Sequence, residues 1–97
     1  IEAEVIDLRT LWPWDRDLVF ASVEKTGRLL VVHESVAVGG FGAEIAATVA
    51  EHMHARLIAP VRRLGAPRAP IAYAPPLEDR VRITSEAVVQ TAERMIA

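Results

Sequence analysis

Hydrophobic and polar positions in the first part of the chain follow a strand pattern and then a helix pattern. Val5–Leu8 is a short, largely β-branched apolar run, which is typical of a strand. A helix is predicted next, because Asp15 can cap its first backbone N–H groups and Leu18–Val23 carries apolar residues at helical spacing. This helix should end at Gly27, since glycine readily adopts the left-handed conformation that closes a helix.

The middle of the chain gives the clearest patterns. Leu29–Val32 is a continuous apolar run, which predicts a strand at the centre of a sheet and buried on both faces. A loop through Gly39–Gly40 follows. Apolar residues then recur every fourth position, which predicts an amphipathic helix with one face on the core, formed by Phe41, Ile45, Val49 and Met53.

The last third alternates weaker signals. Leu57–Val61 is predicted as a third strand, although Pro60 lacks the N–H group that a ladder needs and implies an edge position or a bulge. Pro67–Pro76 contains four prolines and is predicted to be an extended connector. Thr84 or Ser85 can cap a final helix, whose apolar face is formed by Val88, Ala92 and Met95.

The predicted order is strand, helix, strand, helix, strand, loop and helix. Such alternation predicts an α/β fold in three layers, with a mostly parallel sheet, right-handed crossovers and helices on its faces. The 97 residues fit one domain with a modest core, and 52% hydrophobic with 25% charged residues is typical of a globular chain.

Charge and cysteine content narrow the classes of function. The net charge is −2 and the basic residues are scattered, so no nucleic-acid or anionic-membrane footprint is expected. The longest apolar runs are far shorter than the roughly 20 residues that span a bilayer. The chain has no cysteine, which excludes thiol chemistry and disulfides.

Two familiar motifs are present only in part. Gly40–Ile45 resembles the start of a dinucleotide-binding fingerprint, but Ile45 stands where the third glycine is required. Glu51, His52 and His54 suggest metal ligands, yet two histidines two positions apart do not share one helical face. Neither motif predicts a site.

Position in the sheet gives a better candidate pocket. His33, Glu34 and Gly39 follow the strand predicted to be the most buried, and open α/β sheets bind ligands beyond the carboxyl ends of their strands. The simpler alternative is a structural histidine that forms hydrogen bonds at a strand end, because one histidine without a nucleophile defines no reaction.

Several segments, in order, resemble one family. The segments that carry the resemblance are Glu4–Leu11, Ser22–Arg28, Val31–Glu34, Gly39–Ala46, Ala59–Arg63 and Pro76–Asp79. With these segments the chain is similar to the C-terminal, transketolase-like domain of the beta subunit of the 2-oxo acid dehydrogenase first component, of the pyruvate or branched-chain type.

The resemblance implies that residues 1–97 form one α/β/α domain that lacks the family's usual first strand and helix. A sheet without them has a bare edge, which invites pairing with another chain. We therefore expect the chain to dimerise, to aggregate or to need the missing residues. The start at Ile1, without an initiator methionine, suggests a piece of a longer protein.

The family's activity is implied in the same way. Its members use thiamine diphosphate and magnesium to decarboxylate a 2-oxo acid oxidatively, and they transfer the acyl group to lipoamide. The cofactor lies between the alpha subunit and the other domain of the beta subunit, so this chain alone should bind none and be inactive. Expected locations are the bacterial cytoplasm or, in a eukaryote, the mitochondrial matrix.

The implied local role is assembly, through contact with a second beta subunit and docking of the acyltransferase's peripheral subunit-binding domain. Charged rims steer such association. Alternatives are an independent α/β domain that binds a small anion near His33, and a domain of another transketolase-like synthase. The interface candidates are four acidic and two aromatic residues, namely Glu44, Glu51, Glu78, Asp79, Trp14 and Phe41. The simpler alternatives are solvated surface charges for the acidic residues and ordinary core positions for the aromatic ones.

Overall fold

The computed structural model describes residues 1–68 and 82–96. Helix α1 spans Arg16–Thr26, strand β1 Leu30–Val36, helix α2 Phe41–Met53, a 3₁₀ turn His54–Arg56, strand β2 Arg62–Ala66 and helix α3 Ser85–Ile96. Most of the predicted proline-rich connector lies outside the described residues, as do Glu78 and Asp79.

The two strands form a parallel pair joined by α2. Leu30 lies opposite Arg62 and Val32 opposite Leu64, and the register shifts before Val36 pairs with Ala66. Parallel strands need a crossover connection, which α2 supplies. The α/β class with parallel strands is therefore confirmed.

Helix α1 begins and ends where its sequence predicts. The carboxylate of Asp15 accepts a hydrogen bond from the backbone N–H of Leu18 at 3.1 Å. Gly27 has φ 72° and donates its N–H to the carbonyl of Val23 at 2.7 Å. Both ends are thus fixed by local chemistry, which explains why the sequence located them correctly.

The core lies between α1 and α2. Val23 and Val49 are almost fully enclosed, at 1% and 0% exposure, and Ile45 packs with them. Trp14 is a further buried member of this cluster. The predicted apolar face of α2 is confirmed, since its buried apolar residues are members of the four-residue repeat.

Helix α3 is capped as predicted. The hydroxyl of Thr84 accepts a hydrogen bond from the N–H of Ala87 at 3.1 Å. At the other end, the side chain of Arg28 donates from Nε to the carbonyl oxygen of Met95 at 3.1 Å. Arg28 thus satisfies one of the last carbonyls of α3, which have no partner inside the helix.

The predicted first strand, Val5–Leu8, is wrong. This segment pairs with neither β1 nor β2 in the part of the chain described, and Val5 is 89% exposed. Leu8 turns onto the core, and its carbonyl accepts from the N–H of Thr10 in a tight turn. An apolar run forms a strand only where a neighbour completes its hydrogen bonds.

The strand predicted at Leu29–Val32 exists, but its expected burial on both faces is wrong. It continues to Val36, and it is not buried on both faces, because Val32 is 43% exposed. Among the described residues only β2 pairs with β1, and the central position of β1 in the sheet stays a prediction. The continuous apolar run therefore does not correspond to full burial.

The third strand is displaced from its prediction. Leu57–Val61 is not a strand, and β2 begins only at Arg62, whose N–H donates to the carbonyl of Leu29 at 3.1 Å. Pro60 cannot donate, and Ile58 instead donates to the carbonyl of Gly27 at 2.9 Å. The sequence did not predict β2 because the strand begins with two exposed arginines, which interrupt the apolar pattern expected of a strand.

Candidate functional site

His33 lies inside β1, not beyond its end. Its Nδ1 is 2.9 Å from the carbonyl oxygen of Ser35 and 2.9 Å from the Ser35 hydroxyl. A carbonyl oxygen only accepts hydrogen bonds, so we assign the tautomer in which Nδ1–H donates to it. This bond links the ring to the strand's own backbone.

Three glycines form a close-fitting cradle for the His33 ring. A Cβ atom on Gly42 would lie 2.6 Å from Nε2, and one on Gly65 would lie 2.8 Å from Cε1. The corresponding position on Gly40 is 3.0 Å from Cε1. Nε2 is buried and has no hydrogen-bond partner among the described residues. The ring therefore packs β1 against β2 and the start of α2.

The other two predicted pocket residues lie apart from this ring. Glu34 is exposed, and because neighbouring side chains of a strand alternate between faces, it points away from His33. Gly39 is exposed, has φ 72°, and would meet nothing within 4 Å of an added Cβ. Neither of the two clefts described below is lined by His33, Glu34 or Gly39.

The two aromatic interface candidates belong to the interior. Trp14 is only 5% exposed, and its ring meets Phe41 edge to face, with centroids 6.2 Å apart and an interplanar angle of 88°. Phe41 is half-buried against the core. Their neighbour Trp12 is instead 80% exposed, beyond a cis peptide bond to Pro13.

The two described acidic candidates share one face of α2. Glu44 and Glu51 are both exposed and stand seven residues apart, which is two helical turns. Ala47 is three positions after the first and four before the second, so it lies between them on the helix surface. Neither carboxylate is in an ion pair with a described residue.

Ala47, between these two carboxylates, lines an apolar cleft of about 690 Å³, which we call the α2 groove. One wall is formed by small residues of α2 and the other by the segment before β2. Within that segment Ile58 is 67% exposed. The lining residues are Ala46, Ala47, Ala50, His54, Leu57, Ile58, Ala59, Pro60 and Val61.

Sequence reasoning missed the α2 groove because it assigned Leu57–Val61 to a strand. The available signal was the set of alanines on α2, since small side chains leave room beside a helix. Pro60, read as a strand defect, forms part of the opposite wall.

Residues 1–68 and 82–96 contain neither a metal-binding cluster nor a membrane-spanning helix. No group of three carboxylate, imidazole or thiol side chains there is arranged to hold a metal ion. Within the same ranges, none of the helices combines the length and hydrophobicity needed to cross a bilayer.

Comparison with known proteins connects this arrangement to a family. The chain is 59% identical over 64 residues to 2-oxoisovalerate dehydrogenase subunit beta 2, mitochondrial, of Arabidopsis thaliana, which covers 66% of the chain and 18% of that protein. It is 39% identical over 95 residues to pyruvate dehydrogenase E1 component subunit beta, mitochondrial, of Dictyostelium discoideum. This match covers 98% of the chain and 27% of that protein.

A bacterial relative is similar over most of the chain. Acetoin:2,6-dichlorophenolindophenol oxidoreductase subunit beta of Bacillus subtilis is 42% identical over 89 residues, covering 92% of the chain and 26% of that protein. The chain thus spans about a quarter or less of the length of these relatives. The model of the family "Transketolase, C-terminal domain" matches residues 1–88. The chain therefore belongs to the transketolase C-terminal domain family, as its ordered motifs predicted.

Proposed function

We propose that this chain is the C-terminal domain of the beta subunit of a thiamine-diphosphate-dependent 2-oxo acid dehydrogenase. The parent enzyme would decarboxylate pyruvate or a branched-chain 2-oxo acid oxidatively and transfer the acyl group to lipoamide. The names of the relatives support this assignment, because they are beta subunits of 2-oxoisovalerate and pyruvate dehydrogenases and of an acetoin oxidoreductase.

The residues described here do not fit thiamine diphosphate with Mg²⁺. Mg²⁺ on a diphosphate is held by oxygen ligands such as carboxylates, and no suitable cluster occurs in the described ranges. The cofactor is therefore proposed to bind in other parts of the parent enzyme. This domain alone would be inactive.

The proposed local role is assembly, and the α2 groove is the observation that carries it. Interfaces combine an apolar centre with a polar rim, and charges on the rim steer association. The groove has an apolar lining, and Glu44 and Glu51 flank its lining residue Ala47 on the surface of α2. A small basic domain with an apolar contact residue fits this surface, and we propose the acyltransferase's peripheral subunit-binding domain.

The contact with a second beta subunit is proposed for the segment before α1. Apolar side chains that remain exposed in a group are typical of interaction surfaces. Val5, Leu11 and Trp12 are 89%, 59% and 80% exposed. The alpha subunit completes the proposed heterotetramer. The protein is proposed to act in the bacterial cytoplasm or the mitochondrial matrix, since its relatives include mitochondrial and bacterial proteins.

Charge neutralisation in the assembled enzyme tests the docking proposal. In the alpha–beta complex, Glu44→Gln with Glu51→Gln should raise the Kd for the peripheral subunit-binding domain about three- to tenfold, since each exposed charge contributes little alone. The salt dependence of binding should fall as well, because fewer charges are screened. Isothermal titration at two salt concentrations measures both quantities.

Glu2→Gln is the matched control, because Glu2 is also exposed and does not lie on α2. It should bind like the unchanged complex. Docking at this groove is refuted if the double variant binds as tightly as the control. The alternative, that the parent enzyme is another transketolase-like synthase, is tested separately by assaying acyl transfer to lipoamide. Such a synthase would not acylate lipoamide.

A further inference from the structure

A second cleft, of about 580 Å³, lies at the end of the sheet where both strands begin, and we call it the arginine cleft. Arg28 lies two residues before β1, Arg62 is the first residue of β2, and Arg94 is in the last turn of α3. The lining residues are Arg28, Ile58, Ala59, Pro60, Arg62, Thr91, Arg94 and Met95.

The positive charge of this cleft is not neutralised by any described carboxylate. The ion pairs in residues 1–68 and 82–96 involve Arg9, Lys25 and Arg56, none of which lines the cleft. Three arginines line this one cavity, and like charges held near one another repel unless an anion lies between them. The negative end of the α3 dipole offsets only about half of one charge.

Arg28 has further donors to offer a ligand. A guanidinium group has five N–H donors, and among the described residues only the Nε donor has a partner, the Met95 carbonyl. That bond also fixes the side chain at the rim, so less conformational entropy is lost when it binds an anion. The hydroxyl of Thr91, in the same lining, is a further donor.

The rest of the lining is apolar. Ile58, Ala59 and Pro60 form one wall of the arginine cleft and contribute to the α2 groove as well. The volume is in the range of small-molecule sites, which combine apolar walls with a few polar groups. A ligand with one anionic group and an attached apolar part therefore uses both kinds of surface.

We propose that the arginine cleft binds a small molecule that carries a phosphate group. One guanidinium group can donate two parallel N–H hydrogen bonds to two oxygens of a phosphate, which makes the contact strong and directional. The phosphate lies among Arg28, Arg62 and Arg94, and the organic part lies against Ile58–Pro60. The inference does not depend on the assembly role, because it concerns a different cleft.

Titration of the intact protein with two simple probes tests the proposal. Inorganic phosphate should give saturable binding by isothermal titration calorimetry at constant ionic strength. Phenyl phosphate should bind about tenfold more tightly, because its ring buries apolar surface against Ile58–Pro60. Equal affinity for both probes would overturn the proposed position of the organic part. Absence of saturable binding would overturn the site.

Matched variants distinguish specific binding in the arginine cleft from non-specific attraction of the phosphate to positive charge. Arg62→Gln and Arg94→Gln should each weaken binding of phenyl phosphate about tenfold, the loss expected for one charge-assisted hydrogen bond. Arg68→Gln removes the same charge from an exposed position outside the cleft and should leave the Kd unchanged. Equal losses in all three variants would refute the cleft as the binding site. Circular dichroism of each variant checks that it remains folded.

Discussion

The close fit of His33 against Gly42 makes a quantitative prediction about folding. In Gly42→Ala the added methyl group would lie 2.6 Å from Nε2 and 2.8 Å from Cδ2 of the ring, and 3.2 Å from a methyl carbon of Val31. Contacts this short force side chains or backbone to shift, which typically costs about 1–3 kcal/mol. Better helix propensity of alanine returns up to about 1 kcal/mol. We therefore expect a net loss of about 1–2 kcal/mol.

Urea unfolding of the intact protein, followed by circular dichroism, measures this loss. His33→Ala removes the ring that the new methyl group meets, so in that background the cost of Gly42→Ala should fall by at least about 1 kcal/mol. Gly40→Ala is the contrasting control. Its methyl group would collide with the carbonyl oxygen of Val36, which is backbone and cannot retreat. Its cost, about 3 kcal/mol, should persist in the His33→Ala background.

The reasoning is refuted if Gly42→Ala is neutral or stabilising in the unchanged protein. It is also refuted if the cost of Gly42→Ala is the same with and without the His33 ring. Either result would mean that the ring does not pack β1 against the start of α2.

Three further predictions concern stability. Asp15→Ala removes the cap that accepts from the Leu18 N–H and should cost about 1 kcal/mol, a fall in Tm of about 4–8 °C by calorimetry. Val49→Ala removes two methyl groups from a fully buried position and should lower the free energy of unfolding in urea by about 2–3 kcal/mol. Hydrogen bonds from the Lys25 ammonium and, second, from Ser22 lower the pKa of Glu4. The ionised carboxylate of Glu4 therefore stabilises the fold near neutral pH, and this stabilisation is lost as the pH falls through the lowered pKa. Glu4→Gln should therefore lower the urea midpoint slightly at pH 7 and leave it unchanged at pH 2.

Local chemistry explains which elements the sequence could predict. The ends of α1 and the start of α3 depend on residues a few positions away, such as Asp15, Gly27 and Thr84. The face of α2 follows from one uninterrupted four-residue repeat. Elements of this kind are specified by short segments, and the sequence located each of them.

Strands depend on partners that a short segment does not reveal. Val5–Leu8 has the composition of a strand but no paired neighbour among the described residues. In contrast, β2 begins with two arginines, yet it forms a strand because it pairs with Leu30–Val32. The α2 groove and the arginine cleft depend on the same tertiary placement, because Ile58–Pro60 belongs to both. Neither cleft could be predicted once those residues were assigned to a strand.

The assembly role is tested most directly by comparing two activities in one variant enzyme. Glu44→Gln with Glu51→Gln is made in the beta subunit and assembled with the alpha subunit. Decarboxylation of the 2-oxo acid is measured with an artificial electron acceptor, and acyl transfer through limiting acyltransferase is measured in parallel. The proposal predicts unchanged decarboxylation and a three- to tenfold loss of acyl transfer, in step with the rise in Kd. An equal fall in both activities of a fully assembled enzyme would contradict it.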